Sequence, residues 1–366
     1  MNTSRSPFHS VRHEAGRTVF LFWLIMPLLF CSAAKIRANV IIVSSTLQSA
    51  VDTANPGDTV YVPPGHYREN VLVDKDSITI TGTQAAILDG TGLTGNSGIT
   101  VRSSIPGARI DGFGLSGLQI QNYEENGVIL IRVDNFVIDH GRYINNNEYG
   151  VFPMLSSQGR IESNRVSGSN DTGIYIGQSH DIVINDNYVT DCTVGFDIEL
   201  SSHVAVQNNQ AKANTIGMTA EVLPGLTVTE AMDIQFIGNL VSRNNRPNPV
   251  TDPEDILSHF PSGTGLLIVG ADEVTVRSNA VTLNDSVGIA VIRLPPEFSE
   301  PDPRINPFPD NDEIRENLVI LNGRHPDPRI YPLPPSDLIW DFSGSGNCWD
   351  NNIFSTSFPA PLPSCP

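Results

Sequence analysis

The residues whose types and spacing suggest chemistry are three carboxylates near the middle of the chain. Asp197 and Glu199 stand two and four residues after Gly195, and Glu221 stands four residues after Gly217. Residues separated by two in a β-strand share one face, so these side chains are expected to point the same way. Like charges held close together raise one another's pKa unless a cation intervenes. The pattern therefore predicts a concentrated site, not scattered surface charge.

Three interpretations of this carboxylate group stay open from the sequence. Three oxygen donors on a rigid surface suit Ca²⁺, with Asp197, Glu199 and Glu221 as the ligands. A protonated and ionised pair suits general acid–base catalysis, as in glycoside hydrolysis. The third interpretation is a solvated acidic face on an acidic protein. Tyr175, one repeat before Asp197, is a further catalytic candidate because its hydroxyl can donate a proton and its ring can stack on a sugar.

Other residues are expected to contact a substrate beside these carboxylates. Phe152 precedes Tyr175 by one repeat and belongs to the same outward column, and Arg160 is expected to flank that column. An acidic surface would repel uronates, which favours binding, or a neutral glycan, over a lyase reaction. The sequence therefore predicts Phe152, Tyr175 and Arg160 as substrate-binding residues.

The element that must position these residues is a repeat of 22–23 residues. Glycines recur at this interval: Gly127, Gly150, Gly173, Gly195, Gly217, Gly265 and Gly288. A short run of alternating polarity follows each of them, which predicts a strand. Two further short strands follow within each repeat. Three strands per repeat predict a parallel β-solenoid, in which each coil stacks on the next.

Asparagines form two columns in this repeat. The first column contains Asn164, Asn187, Asn209, Asn239, Asn279 and Asn317. The second contains Asn147, Asn214, Asn244, Asn284 and Asn322, with Ser169 and Cys192 at equivalent places. Stacked amides can hydrogen-bond along the axis of such a solenoid. The position of Cys192 therefore predicts a buried structural thiol, not a nucleophile.

Alternation also assigns the faces of the strand that follows each glycine. The residues expected to point inward are Ile174, Ile176, Phe196, Ile198, Met218 and Ala220. The residues between them are expected to form an outward face, with apolar stretches on either side of the carboxylates. Three Pro-rich insertions, 223–232, 246–263 and 294–312, attach to the ends of this strand column. Long loops on a regular scaffold are favoured sites of function.

Composition and the two termini set the compartment. The 366 residues include 22 Lys plus Arg against 40 Asp plus Glu, a net charge of −18, which argues against nucleic acid and anionic membranes as partners. Residues 1–38 resemble a secretory signal, because three arginines precede the apolar run from Val19 to Phe30 and small residues follow. An uncleaved anchor, or a lipid anchor at Cys31, is the alternative.

The C-terminal segment 326–366 is Pro-rich and is predicted to fold over the last coils as a cap. Cys348 and Cys365 lie close together in it. In an oxidising compartment they are expected to form a disulfide, which on the loop-entropy model would contribute roughly 3 kcal/mol.

The segments Thr46–Ala54 and Pro56–Tyr67 resemble the entry of right-handed parallel β-helix proteins of the pectin-lyase-like superfamily. In that superfamily a short amphipathic helix caps the first coil and covers its open strand edge. The body of the chain also resembles periplasmic β-helix proteins involved in nitrous-oxide-reductase maturation. The resemblance covers about residues 40–325 and implies an all-β, single-stranded right-handed parallel β-helix over residues 39–325.

What the resemblance implies about activity is limited, because one fold hosts many chemistries. The chain has no pectinesterase or polygalacturonase catalytic motif, nor the Asp-Pro-His-Asp motif of β-helix alginate epimerases. We expect a secreted or periplasmic monomer that binds or acts on polysaccharide. The alternatives are an accessory protein that binds a metal centre or a cell-envelope protein, and a polysaccharide lyase or epimerase. Ca²⁺ is the one cofactor that the sequence suggests.

Overall fold

The chain winds into a right-handed parallel β-helix, which confirms the predicted fold class. The structure is a computed structural model that describes residues 38–253, 255–299 and 302–366. The predicted signal segment, with Cys31, lies outside the described residues apart from Ala38. None of the helices in these ranges is long and apolar enough to cross a membrane.

The helices and strands are short and follow one another closely. The helical segments are α1 (Leu47–Thr53), α2 (Pro296–Ser299) and two 3₁₀ turns, Ile256–His259 and Pro328–Ile330. The strands, in chain order, are β1 (Val40–Ile42), β2 (Thr59–Tyr61), β3 (Gly65–Tyr67), β4 (Val71–Val73), β5 (Ile78–Thr81), β6 (Ala86–Asp89), β7 (Ile99–Val101), β8 (Ile110–Ser116), β9 (Gln119–Gln121), β10 (Val128–Ile131), β11 (Val133–Asp139), β12 (Arg142–Ile144), β13 (Val151–Met154), β14 (Ser157–Glu162), β15 (Arg165–Ser167), β16 (Thr172–Gly177), β17 (His180–Asn185), β18 (Tyr188–Thr190), β19 (Val194–Glu199), β20 (Ser202–Gln207), β21 (Gln210–Lys212), β22 (Ile216–Glu221), β23 (Met232–Ile237), β24 (Leu240–Ser242), β25 (Thr264–Val269), β26 (Thr275–Arg277), β27 (Ala280–Thr282), β28 (Val287–Ile292), β29 (Glu313–Arg315), β30 (Leu318–Ile320), β31 (Ser336–Trp340), β32 (Cys348–Asp350), β33 (Ile353–Phe354) and β34 (Ser357–Phe358).

Each coil contributes one strand to each of three parallel sheets. Sheet A has 12 strands in the order β1-β2-β5-β8-β11-β14-β17-β20-β23-β26-β29-β32. Sheet B has 11 strands, β3-β6-β9-β12-β15-β18-β21-β24-β27-β30-β33. Sheet C also has 11, β4-β7-β10-β13-β16-β19-β22-β25-β28-β31-β34, and contains the strands that follow the repeated glycines. Adjacent strands of such sheets lie about 4.8 Å apart, so a residue in one coil sits directly beside its counterpart in the next.

The core fills the space that the three sheets enclose. The six side chains predicted to point inward from sheet C are all fully buried: Ile174, Ile176, Phe196, Ile198, Met218 and Ala220. Burial of such aliphatic and aromatic side chains stabilises each coil by roughly 1.5–3 kcal/mol per side chain. The alternation in the sequence therefore assigns the inner face correctly.

Buried asparagines connect the coils at one corner of the helix. Within the first column, Asn187 donates both its backbone N–H (2.9 Å) and its Nδ2 (3.0 Å) to Asn209 Oδ1. Asn209 donates in the same way to Asn239 Oδ1 at 2.8 and 3.3 Å. Each amide also donates to a backbone carbonyl, which for Asn209 is that of Ile184 at 2.8 Å. The first column is therefore a continuous hydrogen-bonded ladder.

The second column is confirmed except at its first member. Asn214, Asn244, Asn284 and Asn322 form the same ladder. The backbone N–H of Cys192 donates to Asn214 Oδ1, and the Cys192 thiol is fully buried. The prediction of Asn147 was wrong by one residue, because Asn146 is the buried member and Asn147 is exposed. Because Asn146 and Asn147 are adjacent and identical, the sequence alone does not show which of them faces inward.

The glycine column allows consecutive coils to approach closely. A Cβ atom on Gly217 would lie 2.4 Å from the carbonyl oxygen of Gly265 and 2.4 Å from Val241 Cγ1. We predict that Gly217→Ala lowers the free energy of unfolding by ~1–3 kcal/mol, because the coils must separate to admit the methyl group. The matched control is Gly65→Ala, whose Cβ would meet no atom closer than 3.5 Å. Equal denaturant midpoints for the two variants would contradict close approach as the reason for glycine.

The N-terminal helix covers the first coil as predicted. Thr46 caps α1, and its hydroxyl oxygen accepts the backbone N–H of Ser49 at 3.1 Å. Leu47, Ala50 and Val51 bury the inner side of the helix against the core. The helix thereby shields apolar side chains at the end of the solenoid.

The C-terminal segment differs from the predicted irregular cap. β31, β32 and β33 extend sheets C, A and B in turn, so the solenoid continues past residue 325. Leu338, Ile339 and Trp349 are buried against the preceding coil. The sequence did not predict these short strands, because a Pro-rich composition is typical of irregular segments. A disulfide joins Cys348 in β32 to Cys365, with a Cα–Cα distance of 4.7 Å.

Candidate functional site on sheet C

Loops cover the outer face of sheet C at the level of the carboxylates. Leu267, Val269 and Ala290 point away from the core, yet all three are buried. The segments that connect β22 to β23, β24 to β25 and β28 to β29 (loops 222–231, 243–263 and 293–312) follow or precede strands of sheet C. The interpretation of these outward positions as a solvated acidic face is therefore wrong at these coils, because the described parts of the insertions fold over the sheet.

Specific contacts hold these loops in place. The backbone N–H groups of Thr227 and Val228 donate to Gln178 Oε1 at 3.1 and 3.2 Å. Arg304 Nη2 donates to the Leu226 carbonyl at 3.1 Å, which joins loops 222–231 and 293–312. The cover is thus built from hydrogen-bonded segments.

The three predicted carboxylates lie together under this cover. Asp197 pairs in register with Tyr175 on one side and Thr219 on the other, and Glu199 pairs with Glu221. Asp197, Glu199 and Glu221 are only 4%, 5% and 1% exposed. The Thr219 hydroxyl donates to Asp197 Oδ1. The structure therefore places the carboxylates on one face and adjacent coils, as the repeat predicts, but buries them.

Burial changes the protonation of these carboxyl groups. It raises the pKa of Glu199 to about 7, although the Tyr175 hydroxyl acts as a donor to Glu199 and offsets part of the rise. Burial, reinforced by the neighbouring carboxylate charges, lifts the pKa of Asp197 and of Glu221 well above the usual range. Charging all of these groups at once is unfavourable because water is excluded and the charges are alike.

Two oxygen atoms in the group have no hydrogen-bond partner among the described residues. They are Glu199 Oε1 and Glu221 Oε2, both buried. Unpaired buried polar atoms are uncommon in folded proteins, and each one costs roughly 1–3 kcal/mol. These two atoms are on adjacent coils, and their hydrogen-bonding capacity is unused among the described residues.

An aromatic cluster adjoins the carboxylates. The rings of Tyr149 and Tyr175 stack with centroids 4.9 Å apart and planes 17° from parallel. Phe152 packs edge-on against Tyr175 at 4.7 Å. All three rings are partly exposed. The predicted residues Phe152 and Tyr175 are therefore neighbours, and Tyr149 joins them.

Asp171 is a further member of the group that the sequence reasoning missed. Burial raises the pKa of Asp171 to about 6, although the hydroxyls of Thr172 and Tyr149 partly offset this rise. Asp171 stands two residues before Gly173, and Glu148 and Glu125 hold the same place in the two preceding coils. This column of acidic residues before the glycines is the signal in the sequence that indicates Asp171, whereas the predicted site contained only residues that follow the glycines.

Arg160 does not belong to this group. It lies in β14 of sheet A, is exposed, and is 3.7 Å from Glu162. The prediction that it flanks the carboxylates was wrong because it assigned the residue to the wrong face of the coil.

The structure does not support the expected Ca²⁺ set. Within the described ranges, no group of three or more His, Cys, Asp and Glu side chains is arranged to hold a metal ion. The three carboxylates share a face, but they carry raised pKa values and would bring protons as well as charge. Their environment therefore favours protonated acids and hydrogen bonds over cation coordination.

Comparison with solved structures agrees on the fold. The A-module of mannuronan C-5 epimerase AlgE4 from Azotobacter vinelandii has 16% identity and a TM-score of 0.63, covering 85% of this chain and 86% of its own. The AlgE6 A-module from the same organism has 15% identity and a TM-score of 0.56, with coverage of 86% and 94%. A DFA-IIIase from Arthrobacter chlorophenolicus A6, without its lid, has 12% identity and a TM-score of 0.54, also covering 86% and 94%. At these identities only the fold is shared.

Sequence comparison identifies the family. No curated protein sequence matches the chain. The family model described as "Periplasmic copper-binding protein (NosD)" matches residues 51–255 and 115–294, well over half of the chain. Those segments contain the glycine column, the carboxylate group on sheet C and all of the asparagine ladders before residue 294. The chain therefore belongs to the NosD family of periplasmic β-helix proteins.

Proposed function

We propose that the protein binds a polysaccharide at the covered face of sheet C and is equipped for acid–base chemistry on it. The observation that carries the proposal is the pair of unpartnered oxygens on Glu199 and Glu221 beside the stacked rings of Tyr149 and Tyr175. Sugar rings present apolar faces that stack on aromatic side chains, and their hydroxyls satisfy buried carboxyl oxygens. The solved structures of similar fold include alginate epimerase modules, which supports a carbohydrate ligand.

The protonation states favour a neutral sugar at this site. A glycan carboxylate would lose its hydration in this buried space and would approach the ionised Asp171 and the partly ionised Glu199, and like charges repel strongly where there is little water. A neutral sugar meets no such repulsion, and its hydroxyls can both donate and accept. With a pKa of about 7, Glu199 is half protonated near neutral pH, whereas Asp171, with a pKa of about 6, is mostly ionised. The pair thus offers an acid and a base at the same pH.

Copper, which the family description names, is not included in this proposal. Copper prefers His, Cys and Met ligands, and no three metal-binding His, Cys, Asp and Glu side chains converge in the part of the chain described. Cys192 is fully buried within the asparagine ladder, and Cys348 and Cys365 are bonded to each other. The donors that the described residues present do not fit a copper site.

The test is a glycan panel with the mature protein and matched variants. We expect wild-type protein to be retained by a neutral glycan in affinity electrophoresis, and Tyr149→Ala to weaken the affinity about tenfold, as loss of an aromatic contact does. The control is Phe354→Ala, which removes an exposed ring in sheet B. Equal retention of the two variants, or retention only by uronate polymers, would contradict the site.

Turnover separates binding from chemistry in the same panel. We expect Glu199→Gln to reduce the appearance of reducing ends or of ultraviolet-absorbing products by about 10²–10⁴-fold, the usual effect of losing a general acid. Since the acid must be protonated, wild-type activity should fall as pH rises through about 7. Activity that is independent of Glu199 would exclude the acid–base role and leave binding to be judged by the Tyr149 result.

A second candidate function is a non-catalytic accessory role with a cell-envelope protein partner. The family match over residues 51–294 supports the periplasmic location that such a role requires. It predicts neither glycan retention nor turnover across the panel. Residues 1–38 are proposed to direct export and to be removed, which N-terminal sequencing of the mature protein from the cell envelope would check.

A further inference from the structure

A second group of side chains, of opposite charge, lies on the outer face of sheet B. Arg142 in β12 is in register with Arg165 in β15, and Arg165 is in register with Tyr188 in β18. The next residue in the same row is Gln210. Consecutive coils are about 4.8 Å apart, so the two guanidinium groups are direct neighbours on one face. We call Arg142, Arg165 and Tyr188 the arginine row.

The two arginines of the row lie side by side, and no carboxylate among the described residues offsets their charges. Like charges directly opposite on adjacent strands are destabilising. Other arginines lie within 4 Å of a carboxylate: Arg109, Arg160, Arg277, Arg304, Arg315 and Arg329. Among the described residues, neither Arg142 nor Arg165 has a carboxylate partner, although the chain has 40 acidic residues and 22 basic ones. Two adjacent unpaired guanidinium groups form a local positive site on an acidic protein.

The row also has the shape of a ligand site. A cavity of about 180 Å³ is lined by both arginines, Tyr188, Ser167 and Thr190. A second cavity, of about 380 Å³, continues along the axis past Arg165 and Tyr188 to Gln210. Asp186 also lines this second cavity, but its carboxylate accepts a hydrogen bond from Asn185 Nδ2 at 2.7 Å. Hydroxyl and amide groups thus extend the site beyond the cations.

We propose that the arginine row binds the carboxylate groups of an acidic polysaccharide that lies along the axis of the β-helix. A guanidinium group binds a carboxylate through two parallel hydrogen bonds, and a neighbouring coil repeats that geometry. Tyr188, partly exposed, supplies a ring for stacking against a sugar. Lys212 is in register with Thr190 and adds a third cation one coil further on.

Other macromolecules fit the row less well. Nucleic acid binding needs many clustered cations, whereas this face has three. A protein partner usually inserts apolar side chains at the centre of an interface, and the row has none before Leu240. This site and the carboxylate group on sheet C lie on different sheets and prefer ligands of different charge, so either proposal can fail without the other.

The test measures binding of oligogalacturonate to the mature protein by calorimetry. We expect Arg142→Gln/Arg165→Gln to weaken the affinity about tenfold or more, the scale of lost charge-assisted hydrogen bonds. The lysine variant, Arg142→Lys/Arg165→Lys, keeps the positive charges but cannot form the two parallel hydrogen bonds of a guanidinium group. It should therefore bind with intermediate affinity. Methyl-esterified oligogalacturonate should bind as weakly to wild-type protein as the free acid does to the glutamine variant.

The matched control is Arg277→Gln, an exposed arginine on sheet A that is hydrogen-bonded to Glu316 at 2.9 Å. Thermal unfolding of every variant establishes that it is folded. An equal affinity for the double glutamine variant and the Arg277 control would overturn the proposal. So would equal binding of the esterified polymer. If polyglutamate binds as tightly as oligogalacturonate and depends on the same two arginines, the ligand is an acidic peptide and the carbohydrate assignment is wrong.

Discussion

Replacing Glu199 and Glu221 with glutamine is expected to stabilise the folded protein at pH 8 and to leave its stability at pH 4 nearly unchanged. Below the ordinary glutamate pKa both carboxyl groups are protonated in the folded and the unfolded chain. As pH rises, the unfolded chain releases its protons first, because burial raises the folded pKa of Glu199 to about 7 and also raises that of Glu221 well above its usual range. The wild-type protein therefore loses stability as pH rises through that interval.

The size of this effect follows from the shift at Glu199 alone. A move from 4.5 to about 7 corresponds to about 3 kcal/mol at pH 8, at 1.36 kcal/mol per unit of pKa. Glu221 acts in the same direction. Urea unfolding at pH 4, 6 and 8 measures the difference, with Glu230→Gln, an exposed glutamate in loop 222–231, as the control. A double variant that gains no stability at pH 8 would mean that a cation or solvent already compensates these charges.

A gain in stability would also bear on function. Groups that destabilise a protein at its working pH are commonly retained because they act on a ligand. If the glutamine variants gain stability but lose glycan turnover, the two measurements together assign the carboxyl groups to the site. A gain in stability without a loss of turnover would indicate that the carboxyl groups are buried but do not act on a ligand.

Asn209→Ala is expected to lower the free energy of unfolding by roughly 2–6 kcal/mol. The substitution removes an acceptor for the backbone N–H and the Nδ2 of Asn187, and a donor to the Ile184 carbonyl. The Asn187 N–H and the Ile184 carbonyl then each lose a buried partner, at roughly 1–3 kcal/mol each, whereas Asn187 Nδ2 still donates to the Ile161 carbonyl at 2.8 Å. No water reaches this corner easily, because Asn187 and Asn209 are almost fully buried. Chemical denaturation of the mature protein measures the loss.

The matched control for the ladder is Gln207→Ala, at the end of β20 and two residues before Asn209. Gln207 is partly exposed, so its loss should change the free energy of unfolding by about 0.5 kcal/mol or less. Asn209→Asp is a second variant that keeps an acceptor for Asn187 but not the donor to Ile184. Similar losses for Asn209→Ala and Gln207→Ala would refute the ladder as a source of stability.

Several features of the site could be predicted because the repeat converts sequence distance into spatial distance. Asp197 and Glu199 share a face through the two-residue period of a strand, and the 22-residue interval brings Glu221 beside Glu199. The same rule predicted that Phe152 and Tyr175 would be neighbours. Where neighbouring residues are alike, as with Asn146 and Asn147, the rule does not say which of them faces inward.

Features that depend on segments outside the repeat, or on columns away from the glycines, could not be predicted in this way. Loop 222–231 is held by Gln178 and by Arg304 of loop 293–312, and both residues lie far from it in sequence. Arg160 was assigned to the wrong face because it stands in the strand after the corner, not in the glycine strand. The arginine row was not predicted, because it lies on sheet B, away from the strands that follow the glycines.

The sequence by itself determined the β-helix, its inner face and the columns that stack along its axis, because these depend on short periods repeated in every coil. Only the tertiary structure decided that the carboxylates are buried and partly protonated, since burial depends on how non-repeating loops fold over sheet C. Likewise, the absence of acidic partners for Arg142 and Arg165 within the described residues depends on side chains brought near sheet B by the winding of the chain. The repeat shows in the sequence which positions stack on one another. Solvent exclusion and charge pairing depend on which non-repeating side chains and loops the folded chain brings together.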